Sequence, residues 1–285
     1  MTSRLQQPPP VLVVDLFPEL TSRLVSLLRG LTEEELGRPT ACPGWSAKDV
    51  ALHLLGDEIG NLSRRRDRFA NTSLLVEGED LSRWDDLVRY VNRFNDLWVQ
   101  ATRRMSTSLL CDLLETTGQQ MFAYFQSLDP FALGKAVSWA GPDPAPVWLD
   151  IAREYTERWL HQQHIREATG RPGLPEPHLF SPVLDTFVRA LPHTFRHVER
   201  PAGSHLKLVI SGEAGGSWSL VRQDTRWVLA RDVESEPAST VIMDQDVAWR
   251  LFTKGISKRD ALAKAKFAGD RTLGLKVFDT VSIIV

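Results

Sequence analysis

The hydrophobic period of this chain changes once, and that change limits the folds open to it. From Val11 to about Leu128, apolar residues recur every three or four positions. In "DLFPELTSRLVSLLRGL", Leu16, Leu20, Leu24, Leu27 and Leu28 form one stripe, as a helix buried on one side requires, and Gly30 ends it. After Gly203 the period falls towards two. "HLKLVI", "SWSLV", "RWVLA" and "STVIM" read as short strands separated by turns such as "SGEAGG" and "QDT". "DQDVAWRLFT" and "SKRDALAKA" then return to helical spacing, and "DRTLGLKVFDTVSII" reads as a last helix with a short tail. A run of helices followed by strands and a few helices predicts two domains: an all-helical one over 11–198 and a smaller α+β one over 203–285.

Within the helical part, Pro43 and Gly44 make a turn, and Ser46 with Asp49 gives the start of a capping-box helix. That helix runs through Val50, Leu52, Leu54 and Leu55 towards Phe69. A polar loop, "ANTSLLVEGEDLS", precedes a third helix over about 81–105, whose stripe is Trp84, Leu87, Val91, Phe94 and Trp98. Ser106 or Ser108 caps a fourth. "LDPFALGKAVSWAGPDPAPVW" is too rich in proline and glycine to be one helix. The next helix opens near Pro144 and closes with Gly170 as its C-cap glycine. "SPVLDTFVRALPHTFRHV" is one more, with a kink at Pro192.

Composition excludes some functions. The formal net charge of -2 lacks the basic excess of a nucleic-acid binder. The apolar stretches fall short of the roughly 20 residues that span a bilayer. Cys42 and Cys111 show no paired spacing, which fits a reducing compartment. With no secretory pattern in "RLQQPPP", we expect a soluble cytoplasmic protein without nucleic-acid or membrane partners. Phosphate-loop, dinucleotide-fingerprint and nucleophile-elbow patterns are all missing from the sequence.

The candidate chemistry sits in "EYTERWLHQQHIREATGRP". At about 100° per residue, His161 lies about 40° from Glu157, His164 about 20° the other way, and Glu154 about 60° away. All four share a face. Glu157 and His161, four residues apart, bring a carboxylate and an imidazole towards one point, as a helix does when it supplies two ligands to one metal. The competing reading is a solvated face with a Glu–His pair. His53, in the apolar run "DVALHLLGDE", needs a partner if buried, because burying an imidazole alone is costly. A bundle that sets His53 opposite Glu157 and His161 satisfies all three with one cation and leaves coordination positions open. Asp57 and Glu58, one turn on, are candidates to orient a ligand imidazole.

Here "CPGWSAKDVALHLL" resembles the opening signature of the mycothiol-dependent maleylpyruvate isomerase family, within the wider DinB-like superfamily. The resemblance implies a DinB-like four-helix bundle followed by a sterol-carrier-like α+β domain, with "DVAWRLFTKGIS" and "GDRTLG" carrying the second part. It implies His53, Glu157 and His161 as metal ligands, with zinc as the expected metal. An aspartate is common in the family at the position of His164, so the role of His164 here stays open between extra ligand, acid/base and surface residue. The resemblance further implies a metal-dependent enzyme that uses mycothiol or a related low-molecular-weight thiol on a small electrophile, as an S-transferase or a cis–trans isomerase.

Coordination to a cation favours a thiolate, which is the nucleophile in both reactions. Arginines are candidate anchors for an acidic substrate: Arg64, Arg65 and Arg66 after His53, and Arg271 in "GDRTLG". Cys42 reads as a small buried residue or, less favoured, a reactive thiol. Two rival functions remain at this stage. One is a non-catalytic, metal-stabilised ligand-binding protein, favoured if a fourth protein ligand such as His164 closes the site. The other is metal-assisted hydrolysis with Glu154 as the base.

Overall fold

The computed structural model describes residues 5–69, 76, 78–231 and 233–283. Most of the polar loop "ANTSLLVEGEDLS" lies outside the described residues, as do residues 1–4 and 284–285. By its contacts the chain forms two compact units. Among the described residues, one holds those within 13–129 and 154–174; the other holds those within 5–12, 130–153 and 175–283.

The first unit is helical. α1 (Phe17–Arg29) is followed by the short α2 (Glu33–Leu36), α3 (Ala47–Asn61), α4 (Trp84–Thr102), α5 (Thr107–Gln126) and the later part of α6 (Val147–Thr169). α1, α3, α5 and α6 share one core, in which Leu24, Leu28, Val50, Leu54, Leu110, Leu114 and Ile165 are buried together. The start of α3 is fixed as the sequence predicts. Ser46 Oγ accepts from Asp49 N, and Asp49 returns a bond to Ser46 N, so two donors at the helix start are satisfied reciprocally. Asp49 also accepts twice from Arg103, at 2.9 and 3.0 Å. α3 ends at Asn61 rather than near Phe69, passing into a π-helical turn over Leu62–Arg66. Such turns concentrate at functional sites. Gly170, at φ +67°, ends α6 in the left-handed region that a C-cap glycine supplies, and Arg171 N bonds back to Arg166 O at 2.8 Å.

α4 departs from the expected buried stripe. Trp84, Phe94 and Leu97 are 40%, 36% and 47% exposed, and only Asp86 and Val99 are fully buried. Its anchor is Trp98, whose Nε1 donates to Leu52 O at 2.8 Å. The indole lies where a side chain at Gly56 would stand: a Cβ there would come within 2.5 Å of the ring. The missing side chain lets α4 dock against α3 one turn beyond His53.

The second unit is α+β. A two-stranded sheet pairs β1 (Leu133–Ala136) with β2 (Pro144–Pro146). After α7 (Pro177–Phe187) and α8 (Leu191–Thr194) come β3 (His205–Ser211), β4 (Gly216–Arg222), β5 (Trp227–Ala230) and β6 (Ser239–Asp244). α9 (Gln245–Phe252), α10 (Lys258–Lys264), β7 (Lys266–Gly269) and α11 (Arg271–Leu275) complete it. The sheet order is β5-β4-β3-β6-β7, antiparallel except for the parallel pair β3–β6. The four strands read from alternation are present; β7, four residues long, was not expected from the sequence. The contact division also runs differently from a single cut at 198–203. α7 buries Leu179, Phe180, Val183, Leu184 and Phe187 and packs with α9, Phe187 and Phe252 meeting at 6.5 Å between ring centres. The architecture is therefore a helical part with an α+β part, as the change of period implies. No helix among the described residues is long and apolar enough to cross a membrane.

Candidate metal centre

α3 and α6 bring the predicted ligands together. The donor atoms of His53, Glu157 and His161 all lie within 4.8 Å of one another. His161 Nε2 stands 3.3 Å from Glu157 Oε2, close to the roughly 3.4 Å expected between two donors on a tetrahedral zinc. The His53 and His161 rings meet edge to face at 4.8 Å. His53 and Glu157 are half-buried and His161 is buried. Two converging imidazoles and a carboxylate fit a borderline cation such as zinc.

The turn before α3 shapes one wall. Gly44 takes φ +79°, Thr40 Oγ1 accepts from Cys42 N, and Trp45 N donates to Cys42 O. Trp45 lies over His53 at 5.1 Å between ring centres, with its Nε1 donating to Asp96 at 3.0 Å. The indole thus limits how the His53 ring can turn.

The same turn aims Cys42 at α6. Its Sγ lies 3.2 Å from His164 Nδ1 and 3.9 Å from His161 Nδ1. The sequence favours a small buried residue here; the structure places a half-buried thiol against two imidazoles. The available signal was the Pro-Gly-Trp turn, which folds the chain back beside the start of the ligand helix. His164 therefore faces Cys42, and His161 presents one ring nitrogen to Glu157 and the other to Cys42.

Electrostatics follow this layout. Burial, with the neighbouring His161 next, pushes the His53 imidazole down to about 3, so its lone pair stays available at neutral pH. Burial alone would lower His161, but hydrogen bonds to Cys42 and Glu157 outweigh it and raise the imidazole to about 10 when no cation is bound. Burial would likewise raise the Cys42 thiol; the hydrogen bonds to His161 and His164 outweigh it and bring it to about 6. A proton on His161 thus does between these anions what a metal ion would do.

One turn deeper, a second polar cluster joins the same helices. Arg158 is buried; its Nε lies 3.4 Å from Glu58 Oε1, and its guanidinium also meets Glu154 at 3.5 Å and Asp57 at 3.8 Å. Glu154 Oε2 accepts from Asn61 at 2.9 Å, and its Oε1 pairs with Arg65 at 3.3 Å. Thr117 donates to Glu58. Asp57 and Glu58 thus face Arg158, Asn61 and Thr117. Glu154, expected as a possible base, is buried and already engaged by Asn61, Arg65 and Arg158. Of the candidate anchors, Arg65 reaches Glu154, Arg64 donates to Asn61, and Arg66 bonds Asp67 and Gln120. Arg271 belongs to the α+β unit, where it is exposed and its guanidinium lies over Phe267 at 4.5 Å.

A family model described as the mycothiol maleylpyruvate isomerase N-terminal domain matches residues 17–166. Two crystal structures of mycothiol-dependent maleylpyruvate isomerase are similar to this chain, each at 12% identity and covering 84% of this chain and 86% of theirs. A histidine-to-alanine mutant aligns with a TM-score of 0.50, which supports the fold; the other structure gives 0.49. A UbiJ-SCP2 ubiquinone synthesis protein aligns over 36% of this chain and 92% of its own, at 18% identity and a TM-score of 0.24. No curated protein sequence matches the chain.

Proposed function

Because the chain belongs to the mycothiol maleylpyruvate isomerase N-terminal domain family, with more than half its residues matched, we propose that it is a metal-dependent enzyme using a low-molecular-weight thiol of the mycothiol type. Its substrate is a small electrophile, and the reaction is S-transfer or cis–trans isomerisation. Residues 203–285 are read as the sterol-carrier-like part of the same enzyme. The observation that carries this reading is the convergence of His53, Glu157 and His161 within 4.8 Å, with no fourth His, Cys, Asp or Glu among the described residues joining that group. His164, the residue best placed to close it, faces Cys42 instead. This disfavours a purely structural metal site, which would be closed by protein ligands.

A divalent cation held by these three residues would lower the pKa of a thiol brought to it and favour the thiolate. The residues themselves prepare the position. Burial keeps His53 neutral, Trp45 limits its ring, and Glu157 faces His161 Nε2. In transfer, sulfur bonds to the electrophilic carbon, the leaving group departs with its electron pair, and the thiol proton goes to a base or solvent. In isomerisation, sulfur adds to one carbon of the double bond, the resulting single bond rotates, and sulfur leaves again. Glu154 is not suited as a hydrolytic base, since its carboxylate is buried and engaged by Arg158 and Arg65.

The test is elemental analysis of protein purified without chelators, wild type against His161→Ala, together with loss of free thiol when mycothiol and a panel of electrophiles are added. Metal in wild type, its loss in the variant and metal-dependent thiol consumption are expected. A wild type that takes up no zinc, nickel or similar ion would sink the reading.

A further inference from the structure

The His53, Glu157 and His161 group uses one ring nitrogen of His161. The other faces away from Glu157, towards Cys42, and His164 completes a second convergent set whose donor atoms also lie within 4.8 Å of one another. The geometry points to this set, Cys42 Sγ, His161 Nδ1 and His164 Nδ1, as a metal position in its own right, selective for a thiophilic cation such as zinc.

Distance, construction and chemistry each support it. Across a tetrahedral zinc, with about 2.3 Å to sulfur and 2.0–2.1 Å to nitrogen, a sulfur and a nitrogen ligand stand about 3.6 Å apart. The two sulfur–nitrogen separations here, 3.2 and 3.9 Å, fall on either side of that value. The sulfur is held by a fixed turn rather than a mobile loop end. Thr40 Oγ1 accepts from Cys42 N at 3.1 Å and donates to Trp45 O at 2.9 Å, while Trp45 N donates to Cys42 O at 3.1 Å. His161 and His164 are three residues apart on α6, so their rings project from one face, 5.4 Å between centres. A thiolate with two imidazoles is a softer donor set than two imidazoles with a carboxylate, so it favours zinc or copper(I) over magnesium or calcium. Binding a divalent ion costs the thiol its proton and leaves His161 and His164 as neutral donors through Nδ1. His161 is common to both groups through different nitrogens. Simultaneous filling would make it an imidazolate bridge, with both ring protons released to solvent.

Cobalt(II) is the probe, because a thiolate ligand gives it a near-ultraviolet charge-transfer band that nitrogen and oxygen ligands do not. The wild-type chain should bind cobalt with that band. Cys42→Ser should abolish the band yet still bind cobalt at the His53 group. His53→Ala should keep the band and one cobalt ion per chain, and Glu157→Gln, milder to the fold, should do the same; circular dichroism checks folding of each. The inference is overturned if wild type shows no sulfur band. It is equally overturned if the band and the bound cobalt vanish together in folded Glu157→Gln, since Cys42 would then be only a fourth ligand to a single ion. Loss of all cobalt in Cys42→Ser, with the band and one ion kept in folded Glu157→Gln, would support this position while sinking the His53 group, so the two readings fail separately.

Discussion

Two polar clusters sit one turn apart between α3 and α6, and they are neutralised in different ways. In the deeper one the protein supplies the cation: Arg158 lies among Glu58, Glu154 and Asp57, with Arg65, Asn61 and Thr117 on the remaining oxygens. In the shallower one, His53, Glu157, His161 and, beyond them, Cys42 and His164 bring donor atoms within 4.8 Å of one another in two sets that share His161. The same two helices thus carry a closed ionic network and an open donor set. Buried anionic groups need a positive partner. The guanidinium among its carboxylates marks the first cluster as structural, and the convergence of imidazole, carboxylate and thiol donors marks the second as a candidate site for an ion from outside.

The largest effect should come from breaking the closed cluster. Arg158→Met removes its cation and leaves Glu58 and Glu154 buried against each other. Breaking a buried pair from one side costs about 3–5 kcal/mol, which urea unfolding of the metal-free protein would read. Burial already pushes the Glu58 carboxyl up, opposed chiefly by Arg158, so the variant should relieve part of the cost by protonating Glu58. Stability within about 0.5 kcal/mol of wild type would mean that the cluster is not a structural element.

The open cluster should answer to zinc instead. In a Cys42→Ser background, which leaves only the His53 group, free zinc at about 100 times Kd should stabilise the fold by about 2.7 kcal/mol, reversed by a chelator. Adding Glu157→Gln should remove that gain with little effect on the metal-free protein. An undiminished zinc gain would show that the ion binds elsewhere and would break the comparison.

Acidity should sharpen the contrast. Without metal, His161 is held protonated up to about 10 by Cys42 and Glu157, against the usual 6.5 for histidine. A cation on either ring nitrogen must displace that proton, whereas His53, down at about 3, has none to lose at neutral pH. Zinc affinity should therefore rise with pH between about 6.5 and 10, towards tenfold or about 1.4 kcal/mol per pH unit. Calorimetry in two buffers of different ionisation enthalpy reads the released proton, and no release at pH 7 would contradict the His161 arrangement.

These clusters were unequally legible in the sequence. The four-residue spacing of Glu157 and His161 and the capped helix around His53 are local patterns, and helical geometry converts them directly into a shared point. The Ser46–Asp49 cap and Gly170 were legible for the same reason. Glu154 and Arg158 also stand four apart, a usable signal, but their environment comes from Glu58, Asn61 and Thr117 on other helices. The surroundings of Cys42 are not legible in the sequence, because they depend on a turn geometry and on partners 119 and 122 residues away. β1, β2 and β7 have four residues or fewer and carry proline, glycine or lysine in place of an apolar alternation. The stripe on α4 is apolar, but apolarity does not fix burial, and Trp84 and Phe94 keep 40% and 36% of their surface exposed.

The smallest expected effect tests whether the clusters answer independently of the helix that carries them. Ser46 caps α3 seven residues before His53, and both clusters use that helix. Ser46→Ala removes the acceptor for Asp49 N, which costs about 1 kcal/mol at a helix start. The loss should be local, because Arg103 still grips the Asp49 carboxylate by two bonds and Trp98 still pins Leu52 O. Urea unfolding should show that loss alike with and without zinc, leaving the zinc-induced gain unchanged. If Ser46→Ala instead erased the zinc gain, the donor set would depend on how the 40–46 turn enters α3, and the open cluster would be a property of that turn as much as of the two helices. An equal loss in both conditions would place the metal-binding geometry on α3 and α6 themselves, where the closed cluster one turn deeper holds them in register.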